Sequence, residues 1–560
     1  VERCPGLRFW LVAGLVSVLI LWLAARGAPL GVPVADDYDY LRHQRFVPFS
    51  FFDAFGFIAK WYWRPVSRQL YFMALGPFLL HAPWVAVVLH ALLLVAMVIA
   101  LGALLTYFGW PRRAALVAAT FPVLVEAARV LLAWPSSAQH LLAMTFCACA
   151  VLAAARGAAI PSLLAVAAAL GSIETAVFVV PAAICVFPAR GRARFAWAAL
   201  ALAAVWAAVR FGVLRDSVPP GALSPSVARM LITLRRGIVA QLGLEDLARM
   251  FVVAAVAGYA LALLGAWRTS RAAAATRAQP ARWALGGIAW WVAGTLSLAG
   301  LGSDWNAWRS CLPSLGLGVA FGSVFTRSGA WPVALFLAVR VGVLLLAPPA
   351  PAGVSPDVPA TASHMSFIRF VRLQRTAEAV RHLLDEMPRP PRGVTIRYWN
   401  YPRLTEMAFA GPHAVQVWLG DSTARWEPFG EAAGLRDTSA IVVAFDPGGE
   451  RLAVRLDPDA QRFLLRADDA SRVGDLAAAD RWLERVLVAQ HDPPPRLRAL
   501  VLRSRFVAHL QMGSYRTADS LHHAGSGIIS DDDWRVDERA IALALRDTAR
   551  ALRADGSKLR

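Results

Sequence analysis

The chain has 560 residues, 57% of them hydrophobic and only 17% charged, and its mean hydropathy is +0.49. Soluble proteins carry about a quarter charged residues, so the composition excludes an ordinary soluble globule and predicts an integral membrane protein with soluble mass attached. The formal charge of +19 is almost all arginine; short basic loops on one side of a bilayer account for it, and nucleic acid is not an expected partner.

The run 9–25 (FWLVAGLVSVLILWLAA) is long and apolar enough to cross a bilayer. Arg3 and Arg8 precede it as in a signal peptide, but its length and the spans that follow predict a retained signal anchor. Further apolar segments lie at 83–107, 114–131, 139–155, 158–172, 174–188, 195–211, 249–267, 283–301, 310–326 and 330–347. About eleven transmembrane helices are therefore expected, or ten if 158–188 is a single span. The five cysteines (Cys4, Cys147, Cys149, Cys185 and Cys311) lie in or beside these spans, with no disulfide framework or metal-binding spacing.

Positive charge sets the expected orientation. With the N-terminus cytoplasmic, Arg112, Arg113, Arg156, Arg190, Arg192, Arg194, Arg268, Arg271, Arg277, Arg282 and Arg327 all fall on the cytoplasmic side. Asp36, Asp37, Asp39, Glu126, Glu174, Asp216, Glu245, Asp246 and Asp304 fall on the other. This arrangement puts the first outer loop (27–65), the 210–248 loop and everything after about 350 outside the cytoplasm.

Residues 1–347 thus form a transmembrane domain, and 348–365 a Pro/Ala linker. A small α/β domain is expected over 366–460, with a helix at 366–387 and strands at 393–400, 414–420, 440–446 and 451–457. Over 461–560 the helical periodicity predicts either a tetratricopeptide-like tail or a small helical bundle.

Four constellations could carry chemistry. The first is A-D-D-Y-D-Y (35–40), an acid cluster just after the first span that suits a solvated stop, a cation site or a general base. The same loop continues through Lys60, Arg64 and Arg68 interleaved with Trp61, Tyr62, Trp63 and Tyr71. Such residues are common at membrane interfaces, but guanidinium forks also bind phosphate and carboxylates accept protons from attacking hydroxyls. The second is F-P-V-L-V-E-A-A-R-V-L-L-A-W-P-S-S-A-Q-H (121–140), where Glu126 and Arg129 can pair on one helix face and His140 opens the next span. The third is Glu174 in G-S-I-E-T, and the fourth Arg309 in S-D-W-N-A-W-R. Transporters place their charges near the bilayer midplane, whereas these gather at one surface. No Walker A, G-x-S-x-G or H-E-x-x-H motif occurs.

This order of motifs resembles the polytopic GT-C glycosyltransferases: an acidic pair in a long first outer loop, R-P-V-S-R-Q-L-Y-F, H-A-P-W, the 121–140 stretch and G-S-I-E-T-A-V-F-V-V-P. The similarity is to the group containing protein O-mannosyltransferases and their tetratricopeptide-tailed relatives, and it covers roughly 9–347. The chain departs from that group at Phe121, where His is frequent, at Gln139-His140, near an expected Arg, and at Ile173, where Lys is usual. The resemblance implies a GT-C-like membrane fold that moves a sugar from a polyprenyl-phosphate donor to a hydroxyl on a protein, lipid or glycan acceptor at the outer face of the cytoplasmic membrane. In that setting Asp36 or Asp37 would be the general base, Glu126 a second acid, and Arg64 and Arg309 the donor-phosphate ligands, with Arg68, His140 and Glu174 also binding substrate. It leaves a divalent cation open. The alternative is an inactive GT-C-like scaffold that binds partners through its C-terminal domain.

Overall fold

The computed structural model describes residues 6–54, 62–214, 226–245, 247–271, 278–299, 306–351, 366–386, 389–399, 408–428, 441–445, 453–493 and 495–525. Lys60, Trp61, Asp216, Asp246, Asp304 and most of the predicted linker lie outside these residues. The chain divides into two compact units. One runs to Gly353 and takes in Pro359–Gln374; the other holds Arg375–Arg560.

The first unit is helical: α1 (Leu7–Ala24), α2 (Asp36–Phe46), α3 (Tyr71–Leu79), α4 (Trp84–Tyr107), α5 (Arg112–Thr120), α6 (Ala128–Ala133), α7 (Ala138–Ala155), α8 (Ala159–Leu170), α9 (Val179–Val186), α10 (Arg192–Val213), α11 (Val227–Gln241), α12 (Arg249–Arg271), α13 (Ala278–Leu296), α14 (Ser314–Val324), α15 (Ala330–Leu346) and the start of α16 (Phe367–Glu386). Five helices among the described residues are long and apolar enough to cross a membrane: α1, α4, α7 with the turn before it, α10 and α12. Four shorter apolar helices, at Ala159–Leu170, Glu174–Val186, Ser314–Val324 and Ala330–Leu346, accompany them.

The predicted span 114–131 is not one helix. Pro122 has no N–H to continue α5, and the chain turns through 121–127 before α6 begins. The stretch 158–188 is likewise two pieces, parted at Gly171–Ile173. Nor is the 27–65 segment all loop, since 36–46 is helical. Asp36, Asp37 and Asp39 occupy the first turn of α2, with His43 and Arg45 in its last, which is the charge order a helix dipole favours.

Close approach fixes several of these contacts. A Cβ on Gly102 of α4 would lie 2.4 Å from the Trp10 ring of α1, and one on Gly316 of α14 2.4 Å from the Gly287 carbonyl of α13. Small residues let backbones pack this tightly where lipid removes the hydrophobic drive.

Two fully buried arginines cap helix ends. Arg340 of α15 donates to the carbonyls of Phe121 (2.5 Å) and Gln241, at the ends of α5 and α11, and lies 3.9 Å from the Phe121 ring centroid. Arg129 donates to Pro348 O (2.7 Å) and Ala24 O (3.4 Å), the latter closing α1. Each puts positive charge on carbonyls that have no partner in their own helix.

In the second unit, β1 (Thr395–Trp399), β2 (Arg425–Pro428), β3 (Ile441–Phe445) and β4 (Ala453–Arg455) form a sheet of order β2-β1-β3-β4, with β3–β4 the antiparallel pair. The expected strand 414–420 is instead a helix, His413–Leu419, ended by Gly420 at φ 67°. It buries Ala414, Val415, Gln416 and Val417 in succession, so no two-residue alternation of faces operates. Helices Pro458–Arg472, Leu476–Ala489, Pro495–Gln511 and Tyr515–Gly525 follow, each packed on the next. Leu464, Leu483, Val486 and Val501 lie in one of their cores, Phe506, Ala518 and Leu521 in the other.

Gly31, just ahead of α2, has φ +79°, and a Cβ there would lie 2.2 Å from Pro83 O. Gly31→Ala is expected to destabilise the first unit by about 1–3 kcal/mol, read as a lower thermal midpoint of the detergent-solubilised protein.

Candidate functional site

The segment leading into α2 is pinned from several sides. Gly31 N–H donates to Ala133 O (2.9 Å), Trp134 Nε1 to Val34 O (3.2 Å), and Gln374 Nε2 to Val32 O (2.8 Å) and Ala133 O (2.9 Å). Ala35 then takes φ 54°, ψ −123°, a conformation that glycine adopts and alanine rarely does. It costs of order 1–3 kcal/mol and survives only where surrounding contacts impose it. The bend turns the chain into α2, whose first two residues are Asp36 and Asp37.

Asp37 is fully buried. Its carboxylate accepts the Val34 N–H (2.7 Å) and the Ser136 hydroxyl. Burial pushes its pKa up to about 7, although those two hydrogen bonds pull the other way. Asp36 keeps 41% of its side chain exposed and lies 3.6 Å from Arg68 Nη2.

Arg68 sits on a π-helical turn, Pro65–Leu70, a local widening that often marks functional positions. Its buried guanidinium donates to Ser136 Oγ (3.0 Å) and Gln139 Oε1 (3.1 Å) and covers the Tyr40 ring at 4.1 Å. Gln139 Oε1 also accepts from Arg64, so one amide oxygen holds two guanidinium groups. Arg64 forks onto Glu174 through Nε (3.1 Å to each oxygen) and Nη2 (2.7 Å). Arg210 of α10 donates to the same carboxylate at 2.6 Å. Burial alone would lower the Arg64 pKa, but Glu174 beside it raises it overall. Val66 N–H to Gly171 O (3.0 Å) and Ser67 Oγ to Ser172 O (2.7 Å) hold the Arg64 and Glu174 segments together.

His140 is buried edge-on against Trp308 (centroids 5.1 Å) and feels the charges of Arg64, Arg309 and Arg68. Arg309 covers the Trp308 ring at 4.9 Å. Trp134 and Phe370 complete this wall (4.7 Å). Among the described residues, the His140 Nδ1, Trp308 Nε1 and Arg309 Nε atoms are buried without a hydrogen-bond partner.

Seven of the eight sequence-predicted site residues are therefore linked by contact or electrostatic reach: Asp36, Asp37, Arg64, Arg68, His140, Glu174 and Arg309. Glu126 is held by Arg129 at 2.7 Å, the arginine that caps α1. Sequence reasoning did not single out Ser136, Gln139 or Arg210. The first two stand in the quoted W-P-S-S-A-Q-H stretch, and an arginine inside the apolar 195–211 run was itself a signal. Among the described residues, the acids of α2 do not bring three metal-ligand atoms together.

No family model matches the chain, and no curated protein matches it. Counted as ions, Arg64, Arg68, Arg210 and Arg309 outnumber Asp36 and Glu174, with Asp37 poised between charged and neutral. The surplus is positive and stands next to a carboxylate with open space, an arrangement that binds an anion beside a proton acceptor.

Asp37 binds protons more tightly when folded than an ordinary aspartate does, so its ionisation opposes folding. Stability is expected to fall as pH rises from about 4 to about 7, and Asp37→Asn to remove that slope. At pH 8 the variant should be the more stable protein by roughly 2–4 kcal/mol, with thermal midpoints at pH 5 and pH 8 as the measurement.

Proposed function

We propose that this protein is an integral membrane glycosyltransferase of GT-C type. It would transfer a sugar from a polyprenyl-phosphate donor to an acceptor hydroxyl on the extracytoplasmic face, with the N-terminus cytoplasmic and about eleven spans counting the short helices. The observation that carries this reading is the joined cluster in which Asp36, half-open to solvent, stands 3.6 Å from a buried Arg68 that shares Gln139 with Arg64. Charge bias and motif order support the orientation and the class.

Accessibility separates the two aspartates. A base has to reach the acceptor, and Asp36 has open space where Asp37 has none. Asp36 takes the proton as the acceptor oxygen attacks the anomeric carbon. The bond from that carbon to the phosphate oxygen breaks, and its electron pair leaves on the polyprenyl phosphate. Arg64, Arg68 and Arg309 hold that phosphate and stabilise the growing charge. Asp37 is a positioning residue: through Ser136, and through the attraction of its charged form for Arg68, it steadies that guanidinium.

Asp36→Asn is expected to lower sugar transfer by about 100- to 10,000-fold in proteoliposomes supplied with lipid-linked sugar. Full activity in an Asp36→Asn/Asp37→Asn double variant would remove the assignment. Wild-type kcat/KM should rise with pH through about 7 as Asp37 ionises; Asp37→Asn should lose that limb while retaining measurable turnover.

A second reading has specific support. Phe121 and Ile173, where the GT-C group carries basic side chains, are both packed in the apolar core. That suits a scaffold which keeps the architecture and binds partners through its C-terminal unit. Lipid-linked sugar binding by the wild-type protein, lost in Arg64→Ala/Arg68→Ala, supports the enzyme; absent binding, with a stable partner on the full chain, supports the scaffold.

A further inference from the structure

Helix Tyr515–Gly525 carries Asp519, His522 and His523. Spacings of three and four residues put all three on one helical face, and one ligand atom from each lies within 4.8 Å of the others. We propose that this face is a binding site for a divalent transition metal, zinc in the first instance, separate from the membrane cluster and independent of the glycosyltransferase reading.

Ligands around tetrahedral zinc at its usual bond lengths stand about 3.4 Å apart, so small rotamer shifts close the set. Two histidines and a carboxylate form a donor set that zinc accepts, while calcium and magnesium prefer all-oxygen shells. The His523 Nδ1–H donates to the Asp519 backbone carbonyl at 2.8 Å. The same nitrogen stands 3.6 Å from the Asp519 carboxylate, so the ring is held over that side of the helix, and it binds metal either by giving up this bond or by turning Nε2 inward. His522 lies against Phe506 of the preceding helix (centroids 6.2 Å), and Ala518 and Leu521 anchor the opposite side in the core. The ligands are thus presented by a docked helix and start partly organised. His522 and His523 also lie in the last turn, where the helix dipole favours a cation. Three protein ligands leave a fourth position for water or an incoming group, as in open zinc sites.

The test is zinc titration of the full-length protein in detergent, followed by calorimetry. Wild type is expected to bind about one more equivalent than His522→Ala/His523→Ala, and His81→Ala, an exposed histidine of the first unit, should bind as wild type does. Asp519→Asn, which keeps the helix surface polar, should weaken that equivalent by about tenfold or more. Cobalt substitution should give the visible bands of a tetrahedral nitrogen–oxygen site in wild type alone. Equal zinc stoichiometry and affinity in wild type and the double variant would overturn the proposal, as would cobalt spectra that do not differ. Far-ultraviolet circular dichroism of each variant separates lost ligands from lost helix.

Discussion

A buried guanidinium cannot be left alone in a low-dielectric interior, and the arrangement of the first unit around Arg68 follows from that constraint. Its partners come from two pieces of chain remote from its own: Asp36 on α2, and the stretch that carries Ser136 in the turn before α7 and Gln139 on α7. Satisfying one cation therefore brings three segments to one place. The same logic extends outward through Gln139 to Arg64, through Arg64 to Glu174, and through Glu174 to Arg210. The network runs from a half-exposed acid to the interior face of α10.

Not every buried arginine belongs to it. Arg129 and Arg340 meet main-chain carbonyls at helix ends, where their charge opposes the helix dipole and fills orphaned acceptors. Glu126 pairs with Arg129. The site arginines differ in kind: they meet side chains, share acceptors, and crowd positive charge into one region. Such crowding is costly unless an anion relieves it, whereas a cap is complete as it stands. The strained Ala35 stands beside the site, since its backbone turns the chain into α2, whose first residues are Asp36 and Asp37.

Much of the fold was legible in composition. The apolar runs at 9–25, 83–107, 139–155, 195–211 and 249–267 each correspond to a helix able to cross a membrane. Hydropathy was less informative about 114–131, because a window average does not register the missing N–H of Pro122. The alternating look of AVQVWLG suggested a strand, yet the segment is a short helix buried on successive residues. Periodicity over seven residues does not separate the two when all sides are covered. The acids of the 27–65 segment stood out, but their helical setting did not, because only eleven residues carry it.

The sequence by itself determined the class of the protein, the positions of its main spans and the residue types available for chemistry, because hydropathy and charge are local and additive along the chain. Tertiary structure alone decided which charges meet. Asp36 and Asp37 are adjacent in sequence, yet one is open and the other sealed, a difference set by Val34 and Ser136. Glu126 and Glu174 look alike as acids in apolar runs, yet one steadies a helix cap and the other clamps two arginines. Pairing depends on distance between remote segments, and in a membrane interior that distance decides whether a charge is structural or poised for chemistry.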